Sequence, residues 1–274
     1  MKKLIKYLFP YWLKKPLKIV FYSIVDFFEF LAGKRPKNYP PRRLNFVGSV
    51  DFKRVGDEFR ELFINYGHLK PHDHVLDIGC GVGRMALPLV NYLDTQGTYL
   101  GFDIVKKGIE WCKKHITPRH PNFRFLHADI ANKFYNERGT IHSEEFKFPT
   151  ESHFFNFCFA TSVFTHMLPA EIEQYLQETA RALAKGGTIF FTFFLIPDSP
   201  KSYETHCINF QYRLGDLAYY SHKDCPEAEI GYPEHWVSQK LEQNGFKALK
   251  IYPGKWRDPK NGLSYQDILI GVKN

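Results

Sequence analysis

The chain has 274 residues, of which 44% are hydrophobic and 24% charged, so it is long and apolar enough to bury the core of one α/β domain with additions. This composition excludes an intrinsically disordered chain and a fibrous protein. The formal net charge of +8 is concentrated at the start of the chain, because residues 1–43 carry eleven Lys and Arg against two acids. The rest is close to neutral, which argues against nucleic acid as a partner.

Residues 1–43 form a basic extension in which lysines alternate with bulky apolar and aromatic residues. The uncharged run between Lys18 and Asp26 is seven residues long, far short of the ~20 residues that a membrane-spanning helix needs. A signal peptide also fits poorly, because Asp26 and Glu29 interrupt the apolar region and no small-residue cleavage site follows it. The proline-rich segment 34–44 is expected to be an extended linker.

The second half of the extension has the pattern of an amphipathic helix. Pro16 can stand in its first turn and Gly33 can end it. Two interpretations remain open: the helix packs on the domain or on a partner subunit, or residues 1–34 lie against the anionic inner face of a membrane. The apolar positions that recur at helical spacing on one face are Leu17, Val20, Phe21, Ile24, Phe27, Phe28 and Leu31.

Residues 44–274 are expected to form the main domain. The domain begins with a helix that Asp51 can cap, and from residue 73 short β-rich runs alternate with helical ones. The β-rich runs include HVLDI, GTYLGFDI, NFRFLHAD, FFNFCFA and GGTIFFTFFLI. Strands that alternate with helices and are apolar throughout form a parallel sheet covered on both faces. The sequence therefore predicts a doubly wound, mostly parallel, Rossmann-like α/β sheet.

A glycine-rich loop follows the first predicted strand, at the place where open α/β sheets bind their ligands. In the segment VLDIGCGVGR, Asp77 ends the strand and Gly79, Gly81 and Gly83 follow it. Glycine allows the backbone to approach a ligand closely and to adopt a positive φ. The spacing is GxGxG, and Arg84 stands where the dinucleotide fingerprint GxGxxG needs its third glycine. An NAD-dependent oxidoreductase is therefore disfavoured, although it is the main alternative.

Two further acids stand at the ends of the next two predicted strands. Asp103 follows in GFDI and Asp129 in HADI. Asp103 can accept both hydrogen bonds of a ribose diol, and Asp129 can accept one from an adenine amino group. Each acid alone could also be a helix N-cap. Three acids in register with one glycine loop favour a cofactor that contains a nucleoside.

These motifs resemble the class I S-adenosylmethionine-dependent methyltransferases. The resemblance spans about residues 73–196 and rests on VLDIGCGVGR, GFDI, HADI, FNFCFATSVFTHML and RALAKGGTIFFTF. It implies a seven-stranded sheet with a final antiparallel strand, which EHWVSQKLEQNGFKALKIY and YQDILIGVK can complete. The segments PPRRLNFVGSVDFKRVGDEF and SYQDILIGVK are similar to a bacterial subgroup of this family that is often found near polysaccharide- or lipid-modifying genes.

The resemblance implies S-adenosylmethionine as the cofactor. The three glycines would pass beneath its methionine end, and Asp77 would reach its ammonium. Asp103 would hold the ribose, and Asp129 the edge of the adenine ring. The full set of implied cofactor residues is Asp77, Gly79, Cys80, Gly81, Gly83, Asp103, Ile104, Asp129, Ile130 and Thr161.

The acceptor side is expected to lie just past the fourth strand. His166 is the candidate general base there, because transfer to a hydroxyl needs a base and the pKa of imidazole lies near neutrality. A structural role for His166 in its loop is an equal alternative. The segment 197–232 is expected to be a lid over the acceptor. The acceptor is expected to be a small molecule, a glycan or a lipid-linked hydroxyl.

No metal site is expected. His72 and His74 lack further ligands in sequence, and no two of the five cysteines are closer than 18 residues. The same spacing excludes a dense disulfide framework and favours a reducing, cytoplasmic location, at the membrane surface if the extension binds there. A third reading of the chain is a scaffold protein that binds the cofactor without turnover.

Overall fold

The computed structural model describes residues 11–32, 38–45, 51–133, 135–197 and 208–274. The helices are α1 (Tyr11–Leu31), α2 (Phe52–Asn65), α3 (Ala86–Leu89), α4 (Lys106–His115), α5 (Pro169–Ala182) and α6 (Glu234–Gln243). The strands are β1 (His74–Ile78), β2 (Thr98–Asp103), β3 (Phe123–His127), β4 (Phe155–Ala160), β5 (Leu183–Phe193), β6 (Leu195–Ile196), β7 (Tyr212–Leu214), β8 (Ala218–Tyr220), β9 (Ile230–Pro233), β10 (Phe246–Tyr252) and β11 (Asp267–Lys273).

Seven of these strands form the main sheet in the order β10-β11-β5-β4-β1-β2-β3. Strands β1 to β5 pair in parallel, whereas β11 is antiparallel to both of its neighbours. The strand order reverses at β1, so the loop after β1 lies at the switch point where doubly wound sheets bind ligands. The predicted α/β fold with an antiparallel strand at the end of the chain is confirmed.

The main sheet carries a large apolar cluster on each of its faces. Along β1, Leu76 and Ile78 belong to one cluster and Val75 to the other, because successive side chains of a strand point to opposite faces. Ile172 of α5 packs in the first cluster and Phe63 of α2 in the second. Covering helices on both faces explain why the strands are apolar throughout.

Helix α2 packs closely on the loop that follows β1. Asp51 caps it as predicted, since its Oδ1 accepts from the backbone N of Arg54 at 3.1 Å. At Gly56, an added Cβ would lie only 2.6 Å from the carbonyl oxygen of Arg84, so glycine permits the contact. The helix that follows the glycine loop, α3, is only four residues long.

The C-terminal part of the predicted lid is a small sheet. Within it, β9 pairs with β6 in parallel and β8 is antiparallel to both β7 and β9. The fully buried Trp256 packs edge-on against Phe194 and Phe210 beside this sheet. The carboxylate of Asp267 accepts from the indole N–H of Trp256 at 2.7 Å and from Nε of Arg257 at 2.6 Å. The turn around Trp256 is therefore tied to the first residue of β11.

Helix α1 begins at Tyr11, so Pro16 lies inside it and not in its first turn. Asp26 is 2% exposed, and its carboxylate accepts from the backbone N–H groups of Arg42 and Arg43 at 2.7 and 3.1 Å. The apolar side is exposed, and packing of that side on the domain is not seen in the described residues. Of the helices within the described ranges, none combines the length and apolar character that spanning a bilayer would require.

Candidate functional site

The glycine loop leaves β1 with three residues in the left-handed region of backbone space. Gly79, Gly81 and Gly83 have φ of 75°, 57° and 77°. An added Cβ at Gly81 would meet no atom within 4 Å, whereas one at Gly83 would lie 2.9 Å from Ile116 Cδ1 and 3.1 Å from Cys112 Sγ. Gly81 therefore borders open space, and Gly83 instead serves the packing of the loop against the end of α4.

Asp77, the last acid of β1, is fully buried and only half paired. The hydroxyl of Tyr99 donates to its Oδ2, and its Oδ1 has no hydrogen-bond partner among the described residues. Burial raises the pKa of Asp77 to about 8, although the bond from Tyr99 opposes this shift. A buried carboxylate oxygen without a partner favours a cationic group beside it, because the attraction between the opposite charges offsets the free-energy cost of burying the carboxylate.

Asp103, at the end of β2, joins the glycine loop to its own turn. Its Oδ2 accepts from the backbone N of Gly81, and its Oδ1 accepts from the backbone N of Val105, both at 2.7 Å. Burial raises the pKa of Asp103, and the two backbone bonds act in the opposite direction. Each carboxylate oxygen keeps a second lone pair, so Asp103 can still accept from a ligand diol.

Cavities among the described residues lie along the glycine loop and beside it. A narrow cavity of about 110 Å³ extends from Asp103 to His166. A wider one of about 530 Å³ shares Ser162 and His166 with it. A third, smaller cavity lies on the other side of the loop beside Asp77. The predicted cofactor residues that line the first or third cavity are Asp77, Gly79, Cys80, Gly81, Asp103, Ile104, Ile130 and Thr161.

Asp129 and Gly83 are not among the residues that line these cavities. The carboxylate of Asp129 accepts from Asn136 Nδ2 at 3.0 Å and from Thr140 Oγ1 at 2.9 Å. Both hydrogen bonds lower the pKa of Asp129, and the bond from Asn136 has the larger effect. The structure thus places Asp129 at the base of the loop that follows β3, where it holds the loop closed. Its adenine contact stays a prediction.

His166 lies between the narrow and the wide cavity. Its Nδ1 is 2.8 Å from the carbonyl oxygen of Glu227, so Nδ1 carries the proton in the neutral ring and Nε2 the lone pair. Burial lowers the pKa of His166, which keeps the ring neutral near pH 7. The ring of Tyr135 packs edge-on against it at 5.4 Å. This geometry suits a general base and equally fixes the position of Glu227.

The wide cavity is lined by polar residues that the sequence did not indicate as site residues. Gln266 Oε1 accepts from the hydroxyls of Ser162 and Thr192 at 2.9 and 2.8 Å. Arg84 and Lys255 add positive charge to the same walls. Of the three hydrogen-bonded residues Ser162, Thr192 and Gln266, the sequence indicates only Thr192, because a hydroxyl within the apolar run TIFFTFF needs a buried hydrogen-bond partner. Nowhere in the described ranges does a group of three or more His, Cys, Asp or Glu residues lie close enough together to hold a metal ion.

The glycine loop and the strands β2 to β4 lie within a region that matches a family model. Residues 75–187 match a family model described as a methyltransferase domain. This range begins in β1 and ends in β5, so it contains the glycine loop, Asp77, Asp103 and His166. The wide cavity also has walls outside it, from α2 and from residues 194–266.

Solved structures share the fold at low sequence identity. The 1,6-didemethyltoxoflavin-N1-methyltransferase of Burkholderia thailandensis, solved with 1,6-didemethyltoxoflavin and S-adenosylhomocysteine bound, is 15% identical over 93% of this chain and 88% of its own, with a TM-score of 0.51. An S-adenosylmethionine-dependent methyltransferase of Methanosarcina mazei is 18% identical over 77% and 96%, with a TM-score of 0.50. The [4+2]-cyclase SpnF is 14% identical over 94% and 95%, with a TM-score of 0.54. The chain thus shares the Rossmann-like fold of these structures, and its residues 75–187 match the model of a methyltransferase domain.

Proposed function

We propose that this protein is a methyltransferase that uses S-adenosylmethionine. The observation that carries the proposal is the buried, half-paired carboxylate of Asp77 beside the glycine loop, with Asp103 bonded to the same loop. The methyltransferase domain match supports it. The GxGxG spacing and Arg84 argue against an NAD-dependent oxidoreductase.

The residues present fit this cofactor. Asp77 would pair with its ammonium, Asp103 would accept from its ribose, and Ile104 and Ile130 offer apolar walls to its base. When bound, the cofactor supplies a methyl group on a positively charged sulfur that needs no further activation. The protein then mainly has to align the acceptor, and alignment alone can contribute ~7–11 kcal/mol.

His166 is proposed as the base that takes the proton of an acceptor hydroxyl. Its Nδ1–H is held by Glu227, which directs the basic Nε2 away from that carbonyl. Because burial lowers its pKa, the ring is in its proton-accepting form at neutral pH. The wall that the two cavities share is where an acceptor in one would face a methyl donor in the other.

The wide cavity is proposed as the acceptor site. Its volume of about 530 Å³ falls within the ~300–1,000 Å³ of small-molecule sites. Hydroxyl, amide and charged groups in its walls suit an acceptor with several hydroxyls, such as a glycan or the head of a lipid-linked substrate. Glu229, from the predicted lid segment 197–232, lines it, so we propose that this segment covers the acceptor. A cytoplasmic location belongs to the same proposal.

Calorimetric titration with S-adenosylmethionine, S-adenosylhomocysteine and NAD tests the proposal. Both adenosyl ligands should bind, and Asp103→Ala should weaken them by about ten- to a hundredfold, since a hydrogen bond to a charged group is worth ~1.5–3 kcal/mol. Asp129→Ala is the comparison variant, because it removes another strand-end acid, which does not line the cavities and whose adenine contact stays a prediction. Thermal unfolding checks that both variants fold.

Each other outcome identifies a specific error. Binding of NAD alone would refute the proposed cofactor. Equal weakening by Asp129→Ala would support the adenine contact predicted for that residue. Normal cofactor binding, with no methyl transfer to any fraction of a cell extract from labelled S-adenosylmethionine, would favour a scaffold that lacks turnover.

A further inference from the structure

Helix α1 presents one continuous apolar face to solvent. The six large apolar side chains of this face lie within roughly 120° of the helix circumference, at 3.6 residues per turn. Each is between 53% and 64% exposed. Isolated exposed apolar residues are ordinary on protein surfaces, but a contiguous patch marks an interaction site. The residues of the face are Val20, Phe21, Ile24, Phe27, Phe28 and Leu31.

The opposite side of α1 is anchored by hydrogen bonds and ion pairs. Asp26, almost fully buried, accepts from two backbone N–H groups and pairs with the Arg43 guanidinium at 3.2 Å. Glu29 pairs with Arg42 at 2.6 Å. The anchor is itself attached to the domain, because Leu44 packs against the cluster that contains helix α2. The polar contacts therefore turn the apolar face of α1 away from the anchor.

The charges of the extension indicate what covers this face. Asp26 and Glu29 are the only acids in residues 1–43, and both are paired with arginines. Nine further Lys and Arg of the extension therefore have no acid within it. The rest of the chain is close to neutral, so a second copy offers no excess of negative charge. A bilayer with anionic headgroups supplies both an apolar layer and negative charge.

We propose that α1 lies in the surface of an anionic membrane, with its apolar face in the bilayer and its Asp26–Glu29 side toward the domain. The inference does not depend on the proposed catalytic function. Flotation of the full chain with vesicles tests it, using phosphatidylcholine alone and phosphatidylcholine with about one third phosphatidylserine. Binding should require the anionic lipid and should weaken between about 0.1 M and 1 M NaCl, where the Debye length falls from about 10 to 3 Å.

Variants on and off the face sharpen the test. Ile24→Glu and Phe28→Glu should each weaken vesicle binding at least about tenfold, which corresponds to about 1.4 kcal/mol. Leu217→Glu is the matched control, because Leu217 is an exposed leucine, 44% accessible, between β7 and β8. It should bind as wild type does. All three positions are exposed, so little folding stability should be lost, and circular dichroism melting checks this.

Three results would overturn the inference. The first is failure of the wild type to float with the anionic vesicles. The second is an equal loss of binding in all three variants. The third is a wild-type dimer in sedimentation velocity that Phe28→Glu dissociates, since a second copy would then cover the face. Titration with S-adenosylhomocysteine gives a separate readout, so failure here leaves the proposed catalytic function intact.

Discussion

Replacing Asp77 by asparagine removes the fully buried titratable group of the candidate cofactor site. Burial raises the pKa of Asp77 from 3.8 to about 8 in the free protein, so at pH 7 about nine-tenths of the molecules carry the proton. An ammonium ligand needs the ionised carboxylate. Binding at pH 7 should therefore release about 0.9 proton per ligand, and the lost proton should reduce the affinity by about tenfold, or ~1.4 kcal/mol.

The sign of the pH dependence follows from the direction of the shift. Because the pKa of Asp77 is raised in the folded protein, the native state binds more protons than the unfolded chain between pH 3.8 and about 8. The contribution of Asp77 to folding stability is therefore favourable at low pH and is lost as pH rises through this window. Affinity for an ammonium ligand changes in the opposite sense, rising with pH until about 8.

The assay is calorimetric titration with S-adenosylhomocysteine at pH 7 in two buffers with different heats of ionisation. The wild type should release about 0.9 proton, whereas Asp77→Asn should bind more weakly and release none from this position. Tyr99→Phe is the control, because loss of the hydroxyl that donates to Asp77 should raise the pKa of the carboxyl further. Equal proton release by the wild type and Asp77→Asn would refute the reasoning.

Four other substitutions give three further predictions. His166→Gln should lower kcat about 10²-fold and abolish the acidic limb of the pH–rate profile. Both are measured as methyl transfer to an extract fraction that accepts methyl groups. An unchanged profile would mean that His166 has a structural role. Gly79→Ala should lower urea-unfolding stability more than Gly81→Ala, because a Cβ at Gly79 would lie 2.4 Å from Val163 Cγ2 and one at Gly81 meets nothing within 4 Å; equal losses would contradict this. Asp267→Asn should lower the free energy of unfolding by ~1–3 kcal/mol in the same assay, since it removes the buried charge that accepts from Trp256 and Arg257 and leaves Arg257 paired with Glu234 alone, at 3.3 Å. A loss below ~0.5 kcal/mol would contradict the reasoning.

The sequence predicted those parts of the site that a strand end delivers directly. Asp77 and Asp103 follow apolar strands, and carboxyl ends of neighbouring parallel strands meet at one edge of the sheet. The GxGxG spacing likewise predicted the positive φ of the loop, because only glycine adopts such angles without strain. Local pattern and strand order are sufficient for these residues.

The local pattern does not predict the hydrogen-bond partners of Asp129. This residue comes after β3 as Asp103 ends β2, and its carboxylate accepts from Asn136 and Thr140. These partners lie seven and eleven residues further on, in a loop with no regular pattern. The orientation of α1 was equally hidden, because periodicity gives the width of an apolar face and says nothing of what the polar side binds. Asp26 decided that orientation through its contacts with a distant segment.

The acceptor side is assembled from residues that no motif connects. Gln266 hydrogen-bonds Ser162 and Thr192 across 104 and 74 positions of the chain. It can do so because β11 runs antiparallel, so that its first residue, Asp267, pairs with Phe193 at the end of β5. The segment just before an antiparallel strand therefore lies at the same edge of the sheet as the segments that follow the parallel strands. The turn around Trp256 is hydrogen-bonded to Asp267 at that same edge. Proteins with identical glycine loops can differ in this turn, so we expect the choice of acceptor to depend on the turn and not on the glycine loop.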